Sequence, residues 1–311
     1  MNDLSCIVSN FFEKVNLQEF AQSALQPLPD DRLASRGIRA EVLRIDRLHP
    51  QISGNKWLKL KYNLMEAARQ GKRRLLTFGG AYSNHLYATA AAGKLLGFET
   101  IGIVRGERVE PLNSTLRFAE EAGMQLHFVS RADYRQKHSS AFIEHLHALF
   151  GDFFLVPEGG SNVHAVPGCM ELPGEWSSAY DYILLPCGTG GTLAGLALAA
   201  AAHQKLIGVS VLKGGAFLYE EVKRLQEAYA GHHTQNFEIW TDYAHRGYAK
   251  TTEALRLFMQ DWQRQYPSVP IEHVYSAKMF YAFFAEVEKG YFPSGSRVLL
   301  IHTGGLRVEH E

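Results

Sequence analysis

The sequence predicts an α/β protein with two open, twisted, mostly parallel sheets and flanking helices. Three observations point there. Beyond Thr77, short apolar runs alternate with amphipathic stretches; glycine-rich segments join apolar runs to helical ones; and residues 157–174, which carry several Pro and Gly, interrupt the alternation with no period of their own. Short strands separated by helices imply parallel βαβ units, because parallel neighbours need a crossover between them. The interruption marks a connection between two sheet units.

In chain order, Trp57, Leu60, Leu64 and Ala68 recur at three- and four-residue steps, the face of a helix that begins just past Lys56 and that Gly71-Lys72 breaks. Arg74-Leu75-Leu76-Thr77-Phe78 reads as a strand, and Gly79-Gly80 turns it into an Ala-rich helix over 84–96. Further strands are expected over 100–104, 125–129 and 153–156, with helical patterns between them. The alternation resumes with a strand over 182–185, a helix over 192–203 and a strand over 206–211, and it closes with a strand over 297–301.

Composition narrows the class. Of 311 residues, 46% are hydrophobic and 21% charged, and bases and acids balance at 32 each. Such a surface offers no electrostatic attraction for nucleic acid or an anionic membrane. Met1 to Lys14 lacks the basic and long apolar regions of a signal peptide, and apolar runs stop well short of the roughly 18 residues of a membrane helix. Cys6, Cys169 and Cys187 are scattered, with no CxxC pair. A soluble, cytoplasmic protein without a structural metal is expected.

Three turns carry chemistry. In Leu184-Leu185-Pro186-Cys187-Gly188-Thr189-Gly190-Gly191-Thr192 an apolar strand runs into an apolar helix. Its glycines let the backbone approach an anion, the helix N-terminus adds unpaired N–H groups, and Thr189 and Thr192 add hydroxyls. No Gly-Lys is followed by Ser or Thr, which excludes a P-loop, and Leu193 occupies a position where a dinucleotide fingerprint needs glycine. A single phosphate monoester suits the loop; a tight turn with nothing bound is the alternative. Gly79-Gly80-Ala81-Tyr82-Ser83-Asn84-His85 offers N–H groups, a hydroxyl and an amide suited to a carboxylate, or merely a helix cap. Lys56, in Ser53-Gly54-Asn55-Lys56, is either a solvated charge or a lysine able to form a Schiff base with a carbonyl cofactor.

Other features carry less. His145 and His147 point to different sides of a helix and make a poor metal pair, and Asn113-Ser114-Thr115 is a turn or helix start rather than a glycosylation site. Ser161 lacks the glycines of a nucleophile elbow, and Cys187 is expected as a small buried residue.

Taken together, Ser53-Gly54-Asn55-Lys56-Trp57-Leu58-Lys59-Leu60, Gly79 to His85, Gly188 to Thr192 and His302-Thr303-Gly304-Gly305 resemble the fold-type II pyridoxal-phosphate enzymes, the tryptophan synthase β group. Within it they most resemble the branch of 1-aminocyclopropane-1-carboxylate (ACC) deaminase and D-cysteine desulfhydrase. The resemblance runs from about Asp46 to the end. It implies pyridoxal 5′-phosphate held covalently by Lys56, its ring hydroxyl bonded by Asn84, its phosphate bound by Gly188, Thr189, Gly190, Gly191 and Thr192, and Thr303 near the pyridine nitrogen. Ser83 would meet the substrate carboxylate or help move a proton, with Tyr248 and Tyr275 as further catalytic residues. It also implies a homodimer, with a large cofactor-binding domain of residues 1–60 and 165–311 and a small domain of 61–164.

One departure bears on the substrate. Where ACC deaminases follow the second tyrosine with a glutamate that meets the pyridine nitrogen, this chain has Ser276, within Tyr275-Ser276-Ala277-Lys278. A hydroxyl gives a weaker electron sink than a carboxylate. The expected activity is therefore β-elimination from D-cysteine or a related amino acid, giving pyruvate, ammonia and sulfide. ACC deamination to 2-oxobutanoate and ammonia is the alternative, and a cofactor-binding protein without turnover a further one.

Overall fold

Residues 3–306 are described by the structure, a computed structural model. Its strands are β1 (Leu25–Pro27), β2 (Arg39–Leu43), β3 (Arg74–Gly80), β4 (Glu99–Arg105), β5 (Met124–Val129), β6 (Phe154–Val156), β7 (Tyr182–Cys187), β8 (Lys205–Ser210), β9 (Phe237–Trp240) and β10 (Arg297–Ile301). They form a six-stranded sheet in the order β1-β2-β10-β7-β8-β9 and a four-stranded sheet in the order β5-β4-β3-β6. All pairs are parallel except β1 with β2. The α/β architecture with two mostly parallel sheets is thus as the sequence predicts.

Burial explains the strand composition. The interiors of β3 and β4 are buried on both faces, which a parallel sheet covered by helices on each side requires. β1 escaped notice because it is three residues long and ends in Pro27, which only an edge tolerates. β2 and β9 lie outside the regular alternation that marked the others.

The helix expected over 192–203 is shorter, Gly191–Ala199. Buried Gln204 is the reason. Its side chain accepts from Ala201 N at 2.9 Å and donates to Ser177 O at 2.6 Å and Tyr180 O at 2.9 Å, so the chain leaves the helix at Ala200 to meet it. The helix after Lys56, Asn55–Arg69, buries Trp57, Leu60, Leu64 and Ala68 as its period requires. Phe11, Phe12 and His49 surround Trp57, with ring centroids 4.7–5.3 Å away. Burying such a ring stabilises by about 1.5–3 kcal/mol or more and fixes the helix carrying Lys56.

The four-stranded sheet lies within residues 74–156, and the six-stranded sheet draws on 25–43 and 182–301. Helix Asn55–Arg69 runs unbroken through the expected seam between 60 and 61. Asn113 caps helix Ser114–Glu121, accepting from Leu116 N at 3.0 Å, and His147 stacks on Phe153 at 4.0 Å.

Candidate active site

The connections leaving the carboxyl ends of the strands converge, where open α/β sheets take their ligands. They enclose a cavity of about 1280 Å³. Lys56, Ser83, Asn84, the Gly188–Thr192 loop, Tyr248, Tyr275 and Thr303 all line it. Residues separated by more than two hundred positions in sequence meet here.

The lysine turn hangs on the exit of β10. Gly54, at φ +64°, lets the chain turn so that Asn55 N donates to Thr303 O at 3.2 Å. Lys56 follows in the first helical turn, half-buried, with Nζ donating to Asn55 Oδ1 at 3.2 Å. Asn55 Nδ2 in turn donates to Thr192 Oγ1 at 2.9 Å, which ties the lysine turn to the loop after β7.

That loop enters helix Gly191–Ala199 through Gly190 at φ +74°, and no side chain caps the helix. The helix is apolar along its length, as its burial demands. Gly195 packs so closely on the helix Ala165–Met170 that a Cβ there would lie 2.5 Å from Val166 O. At its N-terminus Thr189 Oγ1 accepts from Lys59 Nζ at 3.2 Å and lies 2.5 Å from Ser161 Oγ. Lys59 is buried, its pKa pushed down to about 8 by that burial, and among the described residues no carboxylate touches it. A buried ammonium at an uncapped helix N-terminus, ringed by hydroxyls, is a place for an anion.

Lys59 and Ser161 escaped the sequence reading. Lys59 stands three residues after Lys56, the spacing that puts two side chains on one helix face, and this was the available signal. Ser161, discounted as a nucleophile, lines the cavity through its contact with Thr189. Replacing Lys59 by Met removes a charge-assisted donor of about 1.5–3 kcal/mol, so cofactor affinity should fall roughly 10- to 100-fold in a spectroscopic titration.

Across the cavity, Ser83 caps helix Asn84–Leu96 by accepting from Leu86 N at 3.2 Å, and it lines the cavity as well. Capping and cavity contact coexist. Asn84 Nδ2 lies 2.8 Å from where a Cβ on Gly305 would stand, so the turn after β10 packs against this amide. His85 is buried behind them; Thr77 Oγ1 donates to Val156 O, so His85 Nε2 is the donor to Thr77 at 2.7 Å. Burial, with Lys56 and Lys59 nearby, holds the imidazole well below its usual pKa, so it is neutral.

Tyr275 Oη donates to Tyr248 Oη at 3.2 Å, their rings edge to face at 5.9 Å. Burial raises both pKa values, so both phenols carry their protons at neutral pH. Cys187 lines the cavity as a buried thiol, pushed up to about 11 by burial, which leaves it no nucleophile.

Ser276 does not line the cavity. It is fully buried, accepting from Glu272 N at 2.8 Å, with Oγ 3.1 Å from Glu272 Oε1. The Glu272 carboxylate takes the N–H groups of Val274, Tyr275 and Ser276 at 2.6–2.9 Å and caps the following helix, Ser276–Glu288. Of the two hydroxyls the sequence offered for the pyridine nitrogen, Thr303 is the one at the cavity wall.

A parallel-sheet α/β fold with a lysine, a glycine-rich loop opening an uncapped helix and a second strand-to-helix turn around one cavity is the scaffold of a cofactor-dependent enzyme. Residues 25–304 match the family model described as pyridoxal-phosphate dependent enzyme, and the chain belongs to that family. Its cofactor is pyridoxal phosphate. Among relatives, the bifunctional D-cysteine desulfhydrase/1-aminocyclopropane-1-carboxylate deaminase of Arabidopsis thaliana is 29% identical over 295 residues, covering 87% of this chain and 73% of that protein. A D-cysteine desulfhydrase of Klebsiella pneumoniae is 26% identical over 308 residues, covering 92% of each. A crystal structure described as an ACC deaminase homologue superposes with a TM-score of 0.79 at 26% identity, over 91% of this chain and 89% of that one.

The residues present fit the cofactor. The uncapped helix with Lys59 could take its phosphate, Lys56 its aldehyde, Asn84 the ring hydroxyl and Thr303 the pyridine nitrogen.

Proposed function

We propose that this chain is a lyase that eliminates the β-substituent of D-cysteine or a related small amino acid, releasing pyruvate, ammonia and sulfide. The observation that carries the choice is Thr303: a hydroxyl, not a carboxylate, stands at the cavity wall beside Gly304, while Ser276 is turned inward to Glu272. Bound there, pyridoxal phosphate supplies an electron sink for the charge left at the substrate's α-carbon. A hydroxyl at the pyridine nitrogen makes that sink shallower, which suffices for loss of a thiolate.

The chain's own residues do the rest. Ser83 Oγ and the N–H groups of its turn hold the substrate carboxylate at a helix N-terminus, where the dipole favours negative charge. Lys56 Nζ takes the α-proton as general base. Tyr275 Oη donates to Tyr248 Oη, which leaves the Tyr248 hydroxyl proton to be donated to the substrate, and the pair closes the cavity wall against water at the reacting carbon. The Gly188–Thr192 loop and Lys59 anchor the phosphate and fix the ring.

Deamination of ACC is the second reading, favoured by the names of the Arabidopsis relative and of the superposed structure. Sulfide release from D-cysteine and 2-oxobutanoate release from ACC separate the two in parallel assays. The expected result is sulfide with D-cysteine at a kcat/KM at least about tenfold above that for ACC. 2-Oxobutanoate alone would replace the first reading by the second, and no product from a panel of D- and L-amino acids would leave a binding protein. We further propose the division into a large domain of residues 1–60 and 165–311 and a small one of 61–164, a homodimeric assembly and a cytoplasmic location. Among the described residues no helix is long and apolar enough to cross a membrane.

A further inference from the structure

Lys278 is fully buried and has no carboxylate in contact with it among the described residues. Its ammonium donates instead to three backbone carbonyls: Gly247 O at 2.7 Å, Ala244 O at 3.1 Å and Val211 O at 3.4 Å. These acceptors belong to different parts of the fold. Val211 directly follows β8, whereas Ala244 and Gly247 lie in the loop after β9 that carries Tyr248. Lys278 itself sits three residues beyond Tyr275, on the helix that Tyr275 opens.

The loop needs holding. His245 and Ala249, neither of them glycine, both take φ of 53°, and Gly247 between them takes 106°. Left-handed backbone at two such residues is unfavourable and persists only where surroundings impose it. Internal bonds close the loop on itself: Gly247 N to Ala244 O at 2.9 Å, Lys250 N to Gly247 O at 3.1 Å, and His245 Nδ1 with Thr252 Oγ1 at 2.8 Å. None of these three sets its distance from Tyr275. Lys278 spans that gap. A buried charge is a poor way to gain stability, since an apolar side chain of similar length would avoid the desolvation cost. What it supplies is direction, three donors fixing three carbonyls.

We propose that Lys278 is a positioning residue, which holds the 244–248 loop against the helix of Tyr275 and so sets the Tyr248–Tyr275 hydroxyl pair in the cavity wall. This rests on the reading of both tyrosines as substrate-facing. Gly188 supports it from the other side: a Cβ there would lie 3.3 Å from the Tyr275 ring and 3.8 Å from Val211 Cγ2, so the braced segments meet at the phosphate loop.

The test is Lys278→Met in the cofactor-loaded enzyme. Cofactor absorbance should match the parent, while amide exchange in the peptide covering 241–252 rises about tenfold or more. kcat should fall about tenfold with KM little changed. Combined with Tyr248→Phe, the loss should not multiply: the double variant is about as slow as the slower single one, because both act through one hydroxyl. Unchanged exchange with parental turnover, or losses that multiply, would overturn the proposal. Lys278→Gln, which keeps two donors without the charge, takes the place of a Met variant that does not accumulate. If the parent turns over no amino acid, the functional reading has failed, and the exchange comparison still decides whether Lys278 braces the loop.

Discussion

Lys56→Ala is expected to purify without covalently bound cofactor and to lose turnover by at least about a thousandfold, the scale on which removing a covalent anchor and general base acts. Lys56, Lys59 and Lys278 are each buried or half-buried, and the structure distinguishes their engagements. Lys59 reaches Thr189 at the phosphate loop, and Lys278 is spent on three carbonyls. Lys56 opens its helix one turn before Lys59, with Nζ beside the neutral amide oxygen of Asn55. The check is borohydride reduction of the parent followed by peptide mass analysis. It should add the reduced cofactor's mass to the peptide containing Lys56, and Lys56→Ala should gain no such mass. Should that variant retain reducible cofactor, with the mass on Lys59, the roles of the two lysines are exchanged. Lys59→Met then separates the cases, since it weakens binding without abolishing covalent capture only if Lys56 is the anchor.

Much of this site was legible because its parts are local turns. A glycine-rich strand-to-helix turn stands out within a few residues, so Gly188–Thr192 and Ser83–Asn84 could be marked without tertiary information. An empty turn or a helix cap fitted each of them as well, and only the resemblance gave them roles. What the sequence could not convey is direction. Ser276 stood as an available hydroxyl beside Tyr275, yet the Glu272 carboxylate, four residues earlier, draws it into the helix cap and away from the cavity. Lys59 lay in plain view within the lysine motif, but burial without a carboxylate partner is a property of the fold. The same holds for β1, β2 and β9: they become strands through their pairing, β1 at the edge on β2, β9 at the edge on β8, and β2 on β10 far along the chain. Propensity in a short segment yields to such context. The early end of the helix at Ala199 has the same origin, since Gln204 finds its partners at Ser177 and Tyr180.

Gly54→Ala is expected to damage the site more than any other single added methyl near Lys56. Gly54 takes φ +64° and ψ −144°, a backbone region that side chains avoid. Its Cα also rests on the exit of β10: an added Cβ would stand 1.9 Å from Thr303 O and 2.4 Å from Thr303 C. Both neighbours are backbone, so neither can swing aside. Relief requires the lysine turn and the Thr303–Gly304 turn to separate by more than an ångström, which breaks the Asn55 N to Thr303 O bond and withdraws Lys56 from the cavity wall. Displacement of about 1 Å at a reacting group costs on the order of a hundredfold in rate, so kcat/KM should fall by roughly that factor or more. Gly71→Ala is the control. Gly71 has φ +72° but nothing within 4 Å of an added Cβ, so it bears the conformational cost, about 1 kcal/mol, without the collision. Comparing the two variants by thermal unfolding and steady-state kinetics separates the cost of a positive φ from what is particular to Gly54, its ψ of −144° and the collision. Gly71→Ala should lose a little stability and keep its turnover, whereas Gly54→Ala should lose turnover and the absorbance of lysine-bound cofactor together. Parental kinetics in Gly54→Ala would mean that Lys56 reaches its place without the support of Thr303, and the lysine turn would then have to be positioned by the Trp57 ring cluster alone.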